Sequence, residues 1–483
     1  MSNFESGTPS RSYRATLSIV LIIIVGLLGG AYYLRPRFEW DPPQIKLMPD
    51  SDVLGVAPME IVVSDRGAGL KSVTATLASG GAEHTLASEQ YAEPVSEKKL
   101  TVGLSSKVTG VKEGPAVLRI VARDRSLWNS FRGNETVMQK NIAIDITPPI
   151  LELVADDRYV NFGGAGAIVY KTSADTATSG VRIGDYFFPG YPGQVQGRPD
   201  HFLILFAHPY DVPAGAKATL VATDKAGNTR EMRLVYELKN VKYRKSTIAI
   251  SDNFIQSKMA PLLNDAGARQ ASPQEIFVRV NKGLRKANED KIAAITKQST
   301  PSILWKGAFS QLSNSKVEAN FADARTYTYN NQTIDHAFHL GYDLSVTKHY
   351  PVEAANSGTV AFAGHLGIYG NAVILDHGLG LFTLYGHLSS IDAKVGDSVQ
   401  QRQILGKTGE TGLAAGDHLH FGVYLAGVAV LPVEWWDQKW IDDNILPKLD
   451  GRSGAAIADA QQPKARHQGA PKSARKALHT RRR

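Results

Sequence analysis

The sequence predicts a mainly β, multidomain chain: an N-terminal transmembrane helix, two β-sandwich modules, a short helical linker and a C-terminal antiparallel β-sheet domain. Three observations carry this. At 483 residues, with 43% hydrophobic and 21% charged, the chain is globular in composition and too long for one core. Short β-rich runs broken by Gly, Asp and Asn recur across 42–243 with a period of roughly 100 residues. Eight of the thirteen histidines fall between 336 and 420, far more than an even spread allows.

The first element follows from charge. Residues 15–34, ATLSIVLIIIVGLLGGAYYL, carry none, and a helix of ~20 residues at ~1.5 Å each spans a hydrocarbon core of ~30 Å. Arg11 and Arg14 precede the run, and Arg35 and Arg37 follow it, so the flanking charges do not settle its orientation. Gly29-Gly30-Ala31 also fits a signal-peptide cleavage site. The uninterrupted length favours a retained anchor in the cytoplasmic membrane, with 1–14 as a cytoplasmic N-terminus.

Composition narrows the chemistry. There is no cysteine, so any metal must be held by His, Asp or Glu. The net charge of +8 belongs to the tail: 451–483 holds nine Lys/Arg and one acid, while 1–450 is balanced at 45 of each sign. That tail is expected to be disordered. No nucleic-acid module accompanies it, and no nucleic-acid partner is expected.

Pro42-Pro43-Gln44-Ile45-Lys46-Leu47 recurs as Pro148-Pro149-Ile150-Leu151-Glu152-Leu153, which divides the repeat into modules at 42–147 and 148–243. The turn Asp224-Lys225-Ala226-Gly227-Asn228 resembles that of bacterial immunoglobulin-like modules, which implies two Ig-like sandwiches acting as spacers. A helical linker is expected over 244–299. Ser272, Pro273 and Glu275 form a helix-start signature, followed by an apolar spacing at Phe277, Val280, Leu284 and Ala287.

The last domain, 300–445, reads as strands, with a hairpin turning at Gly378-Leu379-Gly380. In the run DHLHFGVYL, alternation puts His418, His420, Gly422 and Tyr424 on one face and Leu419, Phe421, Val423 and Leu425 on the other. The two imidazoles then sit roughly 6–7 Å apart at Cα, able to serve one centre. His339-Leu340-Gly341-Tyr342-Asp343 supplies further ligand types. A straight strand would hold His339 and Asp343 roughly 13 Å apart, so the chain must bend between them, and Gly341 permits it. With one histidine of the 418/420 pair this makes two His and one Asp, leaving a fourth position open as catalytic zinc sites do.

Together HLGYD, the run from Tyr369-Gly370-Asn371 to Tyr385-Gly386-His387-Leu388, and HLH resemble the LytM/lysostaphin family of zinc endopeptidases, which cut peptide cross-links of bacterial cell walls. The resemblance covers about 300–437. It implies a LytM-type peptidase domain with one zinc held by His339, Asp343 and His420, His418 as general base and His387 stabilising the oxyanion. It implies a peptidoglycan peptide substrate, and hence a catalytic domain on the outer, periplasmic side of the cytoplasmic membrane. His336 is a competing ligand in principle, with a surface role the better reading. His377, Tyr385 and Asn371 are placed near the cleft without assigned chemistry. The alternative is a non-catalytic domain of this type that binds cell wall or activates another hydrolase; a metal-free envelope protein acting through its sandwiches is a third.

Overall fold

The computed structural model describes residues 11–34, 37–104, 111–263 and 271–452. The tail beyond 452 and the first ten residues, both assigned above from sequence, lie outside them. The described chain is mainly β, with few helices.

Arg11–Leu34 is helical, with Leu17, Ile19 and Ile22 exposed. Yet among the described residues no helix is long and apolar enough to cross a membrane. The expected anchor at 15–34 is therefore not supported among the described residues.

Contacts gather the chain into two compact units. The first comprises Met1–Pro149, Ala174–Ala177 and Thr223–Arg230. Its 42–147 segment builds a three-stranded and a five-stranded sheet. Ile61, Val63 and Leu100 from one pack with Val73, Leu118 and Ile120 from the other in a single core. An Asp followed by Gly-Asn closes a turn twice, at Asp124 with Gly133-Asn134 and at Asp224 with Gly227-Asn228. Asp124 Oδ1 accepts from Asn134 N at 2.7 Å, and Asp224 Oδ1 from Asn228 N at 2.9 Å.

The second unit comprises Ile150–Ser173, Thr178–Ala222 and Glu231–Arg483. It thus joins segments that the sequence separates at 243 and 299. One apolar cluster explains this, running from Ile168, Tyr170 and Phe206 through Trp305 and Phe309 to Trp435 and Ile445. Polar pairs fasten it: Lys448 Nζ bonds Asp157, and Glu434 accepts from Asn161 Nδ2 and from Ala165 N, both at 2.7 Å. Burial pushes the Glu434 carboxyl up to about 8. Between its unfolded value near 4.5 and about 8, the folded chain therefore holds the extra proton, so stability is full below that window and falls as pH rises through it. Glu434→Gln, which Asn161 can accommodate by turning its amide, should flatten this decline in melting temperature between about pH 5 and 9, by the equivalent of a few kcal/mol. Parallel slopes in variant and wild type would refute the link.

The helical segment begins as expected: Ser272 accepts from Glu275 N at 3.3 Å, and Pro273–Val278 is helical. A π-helical turn then intervenes at Arg279–Leu284 before Arg285–Ile295 resumes. The extra residue of that turn shifts the register. Phe277 and Val280 are buried as the spacing predicts, but the next buried positions are Asn281, Asn288 and Ile292, and Ala287 is exposed.

The C-terminal sheet is antiparallel. In spatial order its strands are Lys316–Ala319, Tyr342–Ser345, Leu419–Leu425, Leu381–Leu388, Asn371–Gly378, Gly358–His365 and Ser398–Val399, with Val428–Val430 also pairing Leu419–Leu425. The DHLHFGVYL alternation holds. Leu419, Phe421, Val423 and Leu425 enter the large apolar cluster, and Tyr424, on the histidine face, packs in a second one.

Candidate metal centre and catalytic cleft

The site lies where three strands of this sheet run side by side. Register places Asp343 directly opposite His420 on one side and Gly386 opposite it on the other. His387 therefore follows beside the pair. Its backbone adopts a left-handed φ of 63°, a strained conformation for a residue with a Cβ, and this turns its ring toward His418, 4.8 Å between centroids.

His339 arrives from outside the ladder. The strand Gln332–Phe338 ends just before it, and the backbone of His339 is clasped by Ala322 and Asp323. The bend expected at Gly341 occurs, but not for the expected reason. The glycine is required for space: a Cβ there would meet Phe421 O at 2.5 Å and His420 Nε2 at 2.7 Å.

The result is a tight triangle. His339 Nε2 lies 2.9 Å from Asp343 Oδ1 and 3.1 Å from His420 Nδ1, which is itself 3.0 Å from Asp343 Oδ1. All three residues are largely buried. His339 Nδ1 faces the Asn320 carbonyl at 2.9 Å. A carbonyl only accepts, so Nδ1 carries the hydrogen and Nε2 of the neutral ring is a bare lone pair. That lone pair meets a carboxylate oxygen, another pure acceptor, and the His420 ring nitrogen. Acceptors converging in a buried space repel one another unless a cation sits among them. The donor set of two imidazoles and a carboxylate suits zinc. His420 Nε2 is buried without a hydrogen-bond partner.

Electrostatics support the same grouping. Burial alone would push the Asp343 carboxyl up, but its neighbours His339, His418 and His420 outweigh this and hold it well below the usual carboxylate range. Its other oxygen, Oδ2, faces Arg325 at 3.5 Å. Burial pulls His420 down to about 4.

His418 and His387 flank the triangle. His418 Nε2 lies 3.5 Å from Asp343 Oδ1, and its Nδ1 donates to Gly416 O at 2.7 Å. Burial works against its charged form, yet the bond to Asp343 and that group's charge outweigh it, and the pKa is raised. His387 Nδ1 donates to Thr411 O at 2.8 Å. Burial, and the charges of His418 and His420, lower it to about 3. This bears on the role expected from the resemblance. With Nδ1–H committed, Nε2 is the atom left for that role, an acceptor on the neutral ring and a donor only on the protonated one.

These five residues line one cavity of about 420 Å³. Other histidines stand apart from it. His336 is exposed and bonded to Thr326, and His377 is fully buried between Ser357 O and Thr383 Oγ1. Tyr385 is spent on Ala355 N, and Asn371 on Leu388 O. Sequence reasoning missed Arg325, Tyr369 and the linker residues Phe277, Asn281 and Arg285, which line the same cavity. The alternation of Arg325 and Tyr327 on one strand face was the available signal. In the linker the four-residue spacing of Phe277, Asn281 and Arg285 was the available signal.

Residues 337–432 match peptidase family M23. The chain thus carries an M23 peptidase domain, with the ordered motifs inside it. Among curated relatives, 95 residues are 39% identical to the DD-carboxypeptidase/endopeptidase Mpg of Neisseria meningitidis serogroup B, covering 20% of this chain and 22% of that protein. Stage II sporulation protein Q of Bacillus subtilis is 35% identical over 120 residues, 24% of this chain and 41% of the relative. The peptidoglycan DD-endopeptidase ShyA of Vibrio cholerae is 31% identical over 112 residues, 23% of this chain and 25% of the relative. The chain spans only about a fifth of the length of the first of these. A putative peptidase M23 from Pseudomonas aeruginosa aligns over 57% of this chain and 94% of its own, with 19% identity and a TM-score of 0.38. The catalytic domain of lysostaphin from Staphylococcus simulans aligns over 27% and 98%, with 29% identity and a TM-score of 0.23.

Proposed function

We propose that this chain is a zinc metalloendopeptidase that hydrolyses peptide cross-links of bacterial peptidoglycan. The observation that carries the reading is the convergence of His339 Nε2, Asp343 Oδ1 and His420 Nδ1 within about 3 Å of one another, beside two further imidazoles in one cleft. A domain that only binds cell wall has no need of these five groups together.

His339, Asp343 and His420 would hold the ion. Zinc supplies acidity there, lowering the pKa of a bound water toward ~7 and polarising the scissile carbonyl. The chain's residues do the rest. Asn320 O and Arg325 fix the orientation of His339 and Asp343. His418 accepts the proton of the attacking water at Nε2, which Gly416 O leaves bare. His387, neutral and pinned by Thr411 O, turns its own Nε2 acceptor to the cleft and orients that water. After bond cleavage the proton on His418 passes to the leaving amine.

Cell-wall peptides lie outside the cytoplasmic membrane, so the catalytic domain is placed there. Digestion of purified peptidoglycan by the full chain, with mass spectrometry of the products, tests the activity. New amino and carboxyl termini at one peptide bond, lost on chelation, are expected; sugar-bond cleavage or no cleavage would refute it. Protease cutting of a C-terminal tag in intact spheroplasts checks the location, and a protected tag would contradict it.

A further inference from the structure

The helical segment upstream of the catalytic domain forms one wall of the cleft. Phe277, Asn281 and Arg285 line the cavity that holds the His/Asp triangle. A second cavity of about 230 Å³ shares Asn281, Arg285 and Leu340 with it, and adds Lys282, Lys286 and His336. Arg285 thus stands where the cleft continues into a basic recess.

Its partners are unusual for an arginine. Both Nε and one terminal nitrogen donate to the same neutral acceptor, Asn281 Oδ1, at 3.2 and 3.0 Å. The amide cannot turn over, because Asn281 Nδ2 donates at 2.8 Å to Asp335, a buried carboxylate that Lys282 also faces at 3.5 Å. Arg285 is therefore held in place by a neutral acceptor, and among the described residues it forms no ion pair. Lys286 is paired with Asp290. Glu289 is the one acid lining the recess; burial pushes its carboxyl up, against the pull of Arg285. Asn281 and Arg285 follow Phe277 at four-residue spacing, which sets the three on one face of this wall.

We propose that Arg285 is a specificity-determining residue: it binds a free carboxylate of the peptide substrate, in a recess one step along the cleft from the metal centre. A guanidinium with donors to spare matches a carboxylate in geometry as well as charge. The carboxylate belongs to an acidic side chain or to a chain terminus. The inference rests on the peptide-hydrolase reading for the identity of the ligand, but its test does not require turnover.

The test uses the zinc-loaded full chain and labelled wall-type peptides whose amides are N-methylated, so that they bind without being cut. Three forms are compared by fluorescence anisotropy: the parent, one with its side-chain carboxylate as carboxamide, and one with its terminal carboxylate as carboxamide. Wild type should bind the parent at least about tenfold more tightly than one amidated form, and which form it is identifies the source. In Arg285→Gln the preference should collapse to within about twofold, and Arg285→Lys should retain part of it. Equal binding of all three by wild type, or an unaltered preference in Arg285→Gln, overturns the proposal. Zinc content and melting temperature of each variant verify that it is folded, and Arg285→Lys carries the comparison if Arg285→Gln is not. A chain that discriminates between the peptides yet cuts no natural wall would retain this inference and lose the hydrolase reading.

Discussion

Purified His420→Ala should contain no zinc and hydrolyse no cross-link, while its β-sheet remains folded. His420 sits at the middle of the ligand group, opposite Asp343 in register and 3.1 Å from His339 Nε2. Removing it leaves one imidazole and one carboxylate, too few to hold the ion against water. Leu419 and Phe421 on the opposite face keep the apolar core intact. His339→Ala and Asp343→Ala should behave alike. Elemental analysis beside circular dichroism reads both effects. A folded His420→Ala protein with full metal content would remove it from the ligand set.

The second large effect separates proton handling from ligation. His418→Ala and His387→Ala should each retain one zinc and lose roughly 10²–10⁴-fold in kcat. Both rings present Nε2 to the cleft from a pinned Nδ1, but neither contributes to the triangle of ligand atoms. His418→Ala should lose the more, because it is the base, whereas His387 positions the water. A larger loss in His387→Ala would reverse the two roles; metal loss in either variant would move a residue into the ligand set.

Much of the site was legible because β-periodicity is rigid. Once DHLHF was read as a strand, one face had to carry both histidines, and the other had to be core. The partner motif was legible in its residue types, and the spacing demanded a bend at Gly341. What the bend required was hidden: the constraint is the approach of His420 and Phe421 O to Gly341, a contact between strands nearly eighty residues apart. The tautomer of His387 was hidden for a similar reason, since the Thr411 carbonyl that fixes it comes from a loop.

How segments assemble was less legible. Repeated Pro-Pro and Gly-Asn signals divide the chain into modules, but not into the units that contacts define. Glu434, Lys448 and Trp435 carry no local sign that they will meet residues near 160. In the linker, apolar spacing located the first helical turns and then failed at Arg279–Leu284, where one extra residue per turn redirected the helix. No periodicity announces a π-turn, so its shift of the buried face beyond Val280 was invisible.

The most direct test of zinc-dependent peptide hydrolysis is a metal titration of the wild-type chain. Zinc is stripped with a chelator, restored stepwise, and the rate of cross-link cleavage is followed against bound metal. Activity should be absent in the stripped protein, rise in proportion to zinc and level off at one ion per chain. Full cleavage by the metal-free protein, or one bound zinc with no cleavage of any wall peptide, would contradict it.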